Sequence, residues 1–181
     1  MSDNDSRRTR SRLQLVGIFL VAVISLGGAW LLFQAARDGA LWGTTNKGTF
    51  VQPSLTAAEL NVRAAGLPLE GGTWWLWVVP DGDCGIDCRD ALHQLRQLHA
   101  LLNRDASRVR RGLLTRDGGL ADELRVDYPR LVALSGNLER LSAGIYVVDP
   151  IGNLVFHYPM TGAGEPVLDD LKRLLKVSQI G

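Results

Sequence analysis

Apolar positions follow three different rhythms along this chain. The first is continuous. Between positions 13 and 36 no side chain carries a charge, and roughly 20 apolar residues are enough to span a hydrocarbon core about 30 Å thick. One transmembrane helix is predicted there. The second rhythm is the run Thr73-Trp74-Trp75-Leu76-Trp77-Val78-Val79, rich in β-formers, lacking polar alternation and closed by Pro80. Such a run suits a strand buried on both faces, at the centre of a sheet. The third begins after the loop at 81–87. Cys88, Ala91, Leu92, Leu95, Leu98 and Leu102 recur three or four apart, with Arg89, Asp90, Arg96 and Gln97 between them. That spacing predicts an amphipathic helix of about four turns.

Weaker patterns fill the remainder. Thr49-Phe50-Val51 before Pro53 reads as an edge strand, and 60–69 is ambiguous between helix and strand. Val109 to Leu114 is a candidate strand despite its arginines. A short helix is expected over 122–128, stopping before Pro129, and Leu131-Val132-Ala133-Leu134 is a further strand. Ile145-Tyr146-Val147-Val148 and Leu154-Val155-Phe156-His157 form a hairpin around Asp149-Pro150-Ile151-Gly152-Asn153, a turn supplied with both Pro and Gly. Leu168, Leu171, Leu174 and Leu175 place one apolar stripe on a closing helix over 166–177. This order of elements predicts an α/β fold with a mixed central sheet flanked by helices.

Charge sets the direction of the anchor. Arg7, Arg8, Arg10 and Arg12 precede the apolar run, and Arg37, partnered by Asp38, follows it. The positive-inside rule therefore keeps the N-terminus cytoplasmic and exports the rest. Gly27-Gly28-Ala29 offers a small-residue cleavage site, but Trp30-Leu31-Leu32-Phe33 carries the apolar run past it, which favours a retained helix over a signal peptide. The expected organisation is a basic cytoplasmic tail at 1–12, a membrane helix at 13–36, a linker at 37–48 and an exported domain at 49–181. Five of the 20 basic and three of the 19 acidic residues lie in the first forty positions, leaving 15 against 16. Nucleic acid is excluded as a partner by that balance.

The chain has two cysteines, Cys84 and Cys88. They sit where the central strand gives way to the helix, at the carboxyl edge where α/β sheets place their ligands. A thiol there meets the positive end of the helix dipole, which favours thiolate. Asp87 is expected as N-cap, and Asp81, Asp83 and Asp87 oppose part of the shift. A disulfide between residues four apart requires Gly85 to bend the chain. Neither sulfur is expected to carry much core volume. Two thiolates with a third donor would suit Cu(I). Structural zinc lacks its four ligands, and haem attachment fails because Arg89 follows the second cysteine.

The CxxxC at Cys84 and Cys88, the aromatic strand before it and the stretch Ile145-Tyr146-Val147-Val148-Asp149-Pro150-Ile151-Gly152-Asn153 resemble the thioredoxin-like superfamily. Within it, the chain resembles the membrane-anchored Sco/SenC-type proteins that help to build the copper centre of cytochrome oxidase, and single-pass proteins associated with bacterial oxidase genes. The resemblance covers roughly 50–178. It implies a bacterial inner-membrane protein with a periplasmic thioredoxin-like domain, anchored in lipid by its N-terminal helix, with copper as its metal and an oxidase subunit or another assembly factor as partner.

The same resemblance implies two cysteine ligands and a histidine just before the late hairpin, where this chain reads Arg140-Leu141-Ser142-Ala143. His157, one strand later, is the alternative third ligand if alternation turns it toward the cysteines. His93 and His99 lie about 7 and 16 Å along the helix from Cys88. The proline that a thioredoxin-type redox site places before the late strand is replaced by Ala143-Gly144. Three functions stay open: Cu(I) binding, thiol-disulfide exchange with Cys84 as nucleophile and Cys88 as resolving thiol, and a non-catalytic scaffold. Trp74, Trp75 and Trp77 are read as core, and Arg108, Arg110 and Arg111 as a solvated face rather than a surface for an acidic partner.

Overall fold

The computed structural model describes residues 3–37, 46–69, 71–116 and 119–178. They fall into two compact units that divide between Thr45 and Asn46.

The first unit is a single helix, α1 (Asp3–Arg37). Its segment Val16–Ala35 is long and apolar enough to cross a membrane. Phe19, Ile24, Leu26, Trp30 and Phe33 stand exposed along it, as expected of a helix whose solvent is lipid rather than protein. The helix starts ten residues before the apolar run, within the arginine-rich tail. Most of the expected linker, 38–45, lies outside the described residues.

The second unit is built on a seven-stranded mixed sheet of order β1-β7-β6-β3-β4-β5-β2. Its strands are β1 (Thr49–Phe50), β2 (Arg63–Ala64), β3 (Trp74–Val79), β4 (Val109–Thr115), β5 (Leu131–Ser135), β6 (Gly144–Val148) and β7 (Leu154–Tyr158). β3 runs parallel to β4 and antiparallel to β6. All six of its residues are buried, so the aromatic run is the sheet's centre. The helices are α2 (Ile86–Leu101), α3 (Gly119–Leu124) and α4 (Gly164–Val177).

Alternation along β3 divides the core. Trp74, Leu76 and Val78 face a layer that contains Leu92 and Leu95 of α2, Leu124 of α3 and Leu171 of α4. Trp75, Trp77 and Val79 face a layer closed by Leu55, Leu60 and Val62, from the irregular segment before β3. The ambiguous stretch at 60–69 thus contributes one short edge strand and part of a lid over the second face.

Several local expectations are corrected. The arginines around β4 do not form a solvated face. Arg111 is buried and donates from Nη2 to the Pro129 carbonyl at 3.0 Å, and burial pushes its guanidinium pKa down. Arg108 donates to the Leu175 and Ser178 carbonyls at 3.0 and 2.7 Å, and the Arg110 guanidinium lies 5.8 Å from the Trp75 ring centroid. Long stems bury while the head groups find carbonyls or an aromatic face. The helix expected at 122–128 ends at Leu124, and the amides of Asp127 and Tyr128 close a turn on the Leu124 carbonyl. A 3-10 helix over Asn103–Arg108 links α2 to β4.

The stripe on α4 also carries a carboxylate. Asp170 is buried with Val167, Leu171 and Leu175. Its Oδ2 accepts the amides of Lys47 and Gly48 at 2.7 and 2.8 Å and the Tyr158 hydroxyl at 2.8 Å. Burial, reinforced by this carboxylate, pushes the Tyr158 phenol well up. Asn46, Lys47 and Gly48 therefore belong to the domain rather than to the linker.

Candidate functional site

Pro80 ends β3, and a loop of five residues leads into α2. Gly82 turns the chain at φ +79°, a region open to glycine at little steric cost. Gly85 then lies extended at φ −72°, ψ −160° as the N-cap. That role falls to Gly85 rather than to Asp87, because the Arg89 amide already bonds the Gly85 carbonyl at 3.1 Å. Cys84 is therefore outside the helix and Cys88 inside its first turn. The bend brings their Cα atoms to 5.1 Å, and the sulfurs are joined as a disulfide. This separation falls within the range that a disulfide needs.

Both sulfurs are part of the first core layer, with Cys84 6% and Cys88 3% exposed. The expectation that they carry little core volume is corrected: Cys84 precedes a helix whose apolar stripe begins at Cys88, so both follow that stripe inward. A cleft of about 370 Å³ opens beside them, lined by Asp83, Asp87, Cys88, Ala143, Pro159 and Met160 among others. A second cleft of about 640 Å³ shares Asp81, Asp83 and Ala143 with it and adds Arg116, Glu123 and Glu139. The disulfide thus borders an acidic edge.

Among the described residues, no three His, Cys, Asp or Glu side chains group as a metal site. The histidines explain why. His157 pairs with Tyr146 across β6 and β7, their rings are 4.8 Å apart, and its Nε2 lies 3.3 Å from the Ala143 carbonyl oxygen. Its neighbours Phe156 and Tyr158 belong to the cysteine layer, whereas Tyr146 belongs to the other. Period-two alternation therefore turns His157 to the face opposite the sulfurs. His93 is exposed and accepts from Gln97 at 3.0 Å. His99 Nε2 bonds the Ala106 carbonyl at 2.9 Å, and burial lowers its pKa.

A family model described as the transmembrane-like, thioredoxin-like, C-terminal domain matches residues 74–178. The chain belongs to that family. Among solved structures, this thioredoxin-like protein is similar to the apo Sco1 protein from Thermus thermophilus, at 19% identity and a TM-score of 0.54, covering 73% of this chain and 99% of that one. It is also similar to yeast Sco1 with copper bound, at 18% identity and a TM-score of 0.50, covering 61% and 82%. Both likenesses concern the fold. A search of the curated proteins found no match.

Within this thioredoxin-like domain two features of the cleft went unread in the sequence. Ala143-Gly144 stands where a redox-site proline was expected, yet Pro159, at the end of β7, lines the cleft beside Cys88. Gly144 itself is fixed by contact: at φ +156° an added Cβ would collide with His157 and the Tyr158 carbonyl. Met160 follows Pro159 and packs against the core layer that holds both sulfurs. It is one of two methionines in the chain, and that scarcity was the available signal. Chemically, the site offers a dithiol or disulfide pair, a helix N-terminus, nearby carboxylates and one thioether.

Proposed function

We propose that this protein is a membrane-anchored, thioredoxin-like factor that assists cytochrome c oxidase assembly in the bacterial periplasm, acting through Cys84 and Cys88 as Cu(I) ligands. The observation that carries the reading is the placement of the only two cysteines at the carboxyl end of β3 and the first turn of α2, in a fold similar to that of copper-bound yeast Sco1. The disulfide is the resting form in this scheme. A dithiol reductant closes to its own disulfide while Cys84 and Cys88 take up two electrons and two protons. Cu(I) then displaces the thiol protons as it binds, and its charge is unchanged throughout. Soft thiolates select Cu(I) over the hard cations that the neighbouring carboxylates would take.

A periplasmic thiol-disulfide oxidoreductase is the second reading, favoured by the closed disulfide beside an open cleft. Titration of the reduced full-length chain with Cu(I) against a competing chelator separates the two. One equivalent bound by the reduced form and none by the disulfide form supports the copper reading. No binding by either form refutes it. The biological role is tested by replacing both cysteines with alanine in cells. Undiminished oxidase assembly there would leave only the scaffold reading.

A further inference from the structure

With His157 turned to the opposite face, a Cu(I) ion held by Cys84 and Cys88 lacks a histidine, and the cleft itself offers a replacement. Met160 lines it together with Cys88 and packs on the layer containing both sulfurs. It belongs to the short loop 159–163 between β7 and α4. A methionine there has three rotatable bonds and a polarizable sulfur. Asp81, Asp83 and Asp87 are the carboxylates bordering the cleft, and as hard oxygen ligands they compete poorly for Cu(I). His93 and His99 are engaged with Gln97 and Ala106.

We propose that the Met160 thioether is the third Cu(I) donor, completing an all-sulfur site with the thiolates of Cys84 and Cys88. The inference rests on the Cu(I) reading above and specifies its ligand set. Reduction frees the two thiols, Cu(I) displaces their protons, and the neutral thioether adds a third bond with no further proton or electron exchanged. The site is therefore a singly negative, three-coordinate complex.

The test uses the reduced full-length chain in detergent, loaded with one equivalent of Cu(I). Copper-edge X-ray absorption should show three sulfur neighbours. Protein grown on selenomethionine should show a copper neighbour at the selenium edge, and Met160→Leu, a near-isosteric change, should remove it while leaving Met1 labelled. The same variant should bind Cu(I) at least about tenfold more weakly, since even outer-shell losses weaken metal sites by 10–100-fold. A two-sulfur shell with no copper at the selenium edge, or unchanged affinity in Met160→Leu, overturns the role of Met160 while the cysteine site stands. Failure of the unmutated reduced chain to bind Cu(I) removes both proposals. The selenium measurement on the unmutated chain decides the matter even if the leucine variant misfolds.

Discussion

Reducing the Cys84–Cys88 bond should loosen the domain only modestly, and the size of that effect separates a switch from a staple. The bridge joins residues four apart in sequence. Closing so short a loop removes little chain entropy, and the loop-entropy relation gives about 2 kcal/mol. Domains of this size are stable by about 5–15 kcal/mol, so the dithiol form should stay folded. The corresponding drop in melting temperature is roughly 5–10 °C.

Reduction is a cleaner perturbation than substitution. Both sulfurs are buried in an apolar layer, where free thiols behave as small hydrophobes, whereas serine would leave two hydroxyls without partners at about 1–3 kcal/mol each. The assay is tryptophan fluorescence during heating of the full chain in detergent, with and without a phosphine reductant. It follows the core through Trp74, Trp75 and Trp77, all buried. A reduced form already unfolded at 25 °C would refute the reasoning and make the disulfide a structural staple. Coincident melts would refute it from the other side, because the bridge would then constrain nothing.

Three further outcomes are expected. Asp170→Ala should destabilise the domain by about 3 kcal/mol or more, because three donors lose a buried acceptor; the urea midpoint measures it, and faster exchange of the Lys47 and Gly48 amides should accompany it. His99 should make stability fall with acidification: its folded pKa lies below the ordinary 6.5, so as pH drops through that value the unfolded chain takes up the proton first. In His99→Gln, unfolding free energies at pH 7.5, 6.5 and 5.5 should show a flatter profile, and a profile parallel to the parent would count against the assignment. Ala143→His should tighten Cu(I) binding by bringing an imidazole to the mouth of the cleft beside the Met160 thioether, read by chelator competition.

How far these features were legible depended on whether local pattern or tertiary context decided them. The buried strand β3 was readable because Trp74 to Val79 contains no polar position to expose, and α1 because its apolar run is too long for a globular helix. The carboxyl-edge placement of Cys84 and Cys88 followed from β3 before them and the apolar stripe of α2 after them. Arg111 was misread since charge alone does not show that a carbonyl at Pro129 awaits it. Asp170 interrupts an apolar stripe for partners 122 and 123 residues away, a relation no periodicity carries. The role of Gly85 as N-cap went to a residue with no side chain to announce it.

The third-donor problem itself has a topological solution. β6 runs antiparallel to β3, with Gly144 opposite Val79, and β7 runs antiparallel to β6, with Tyr158 opposite Ile145. The residue just before β6 and those just after β7 must therefore emerge at the same edge as the loop after β3, whatever their identity. Ala143 and Met160 both border the cleft with Cys88 for this reason, although 17 positions separate them in sequence. His157, one step back inside β7, is excluded by the same register, since a strand residue adjacent to a cleft-side neighbour points the other way. A side chain at position 160 can thus reach the cleft that position 143 borders without moving a strand. On the all-sulfur proposal, Ala143→His placed in the Met160→Leu background should recover the Cu(I) affinity that the leucine removes, with a nitrogen replacing one sulfur at the copper edge, and undiminished weakness of that double variant would refute the topological argument.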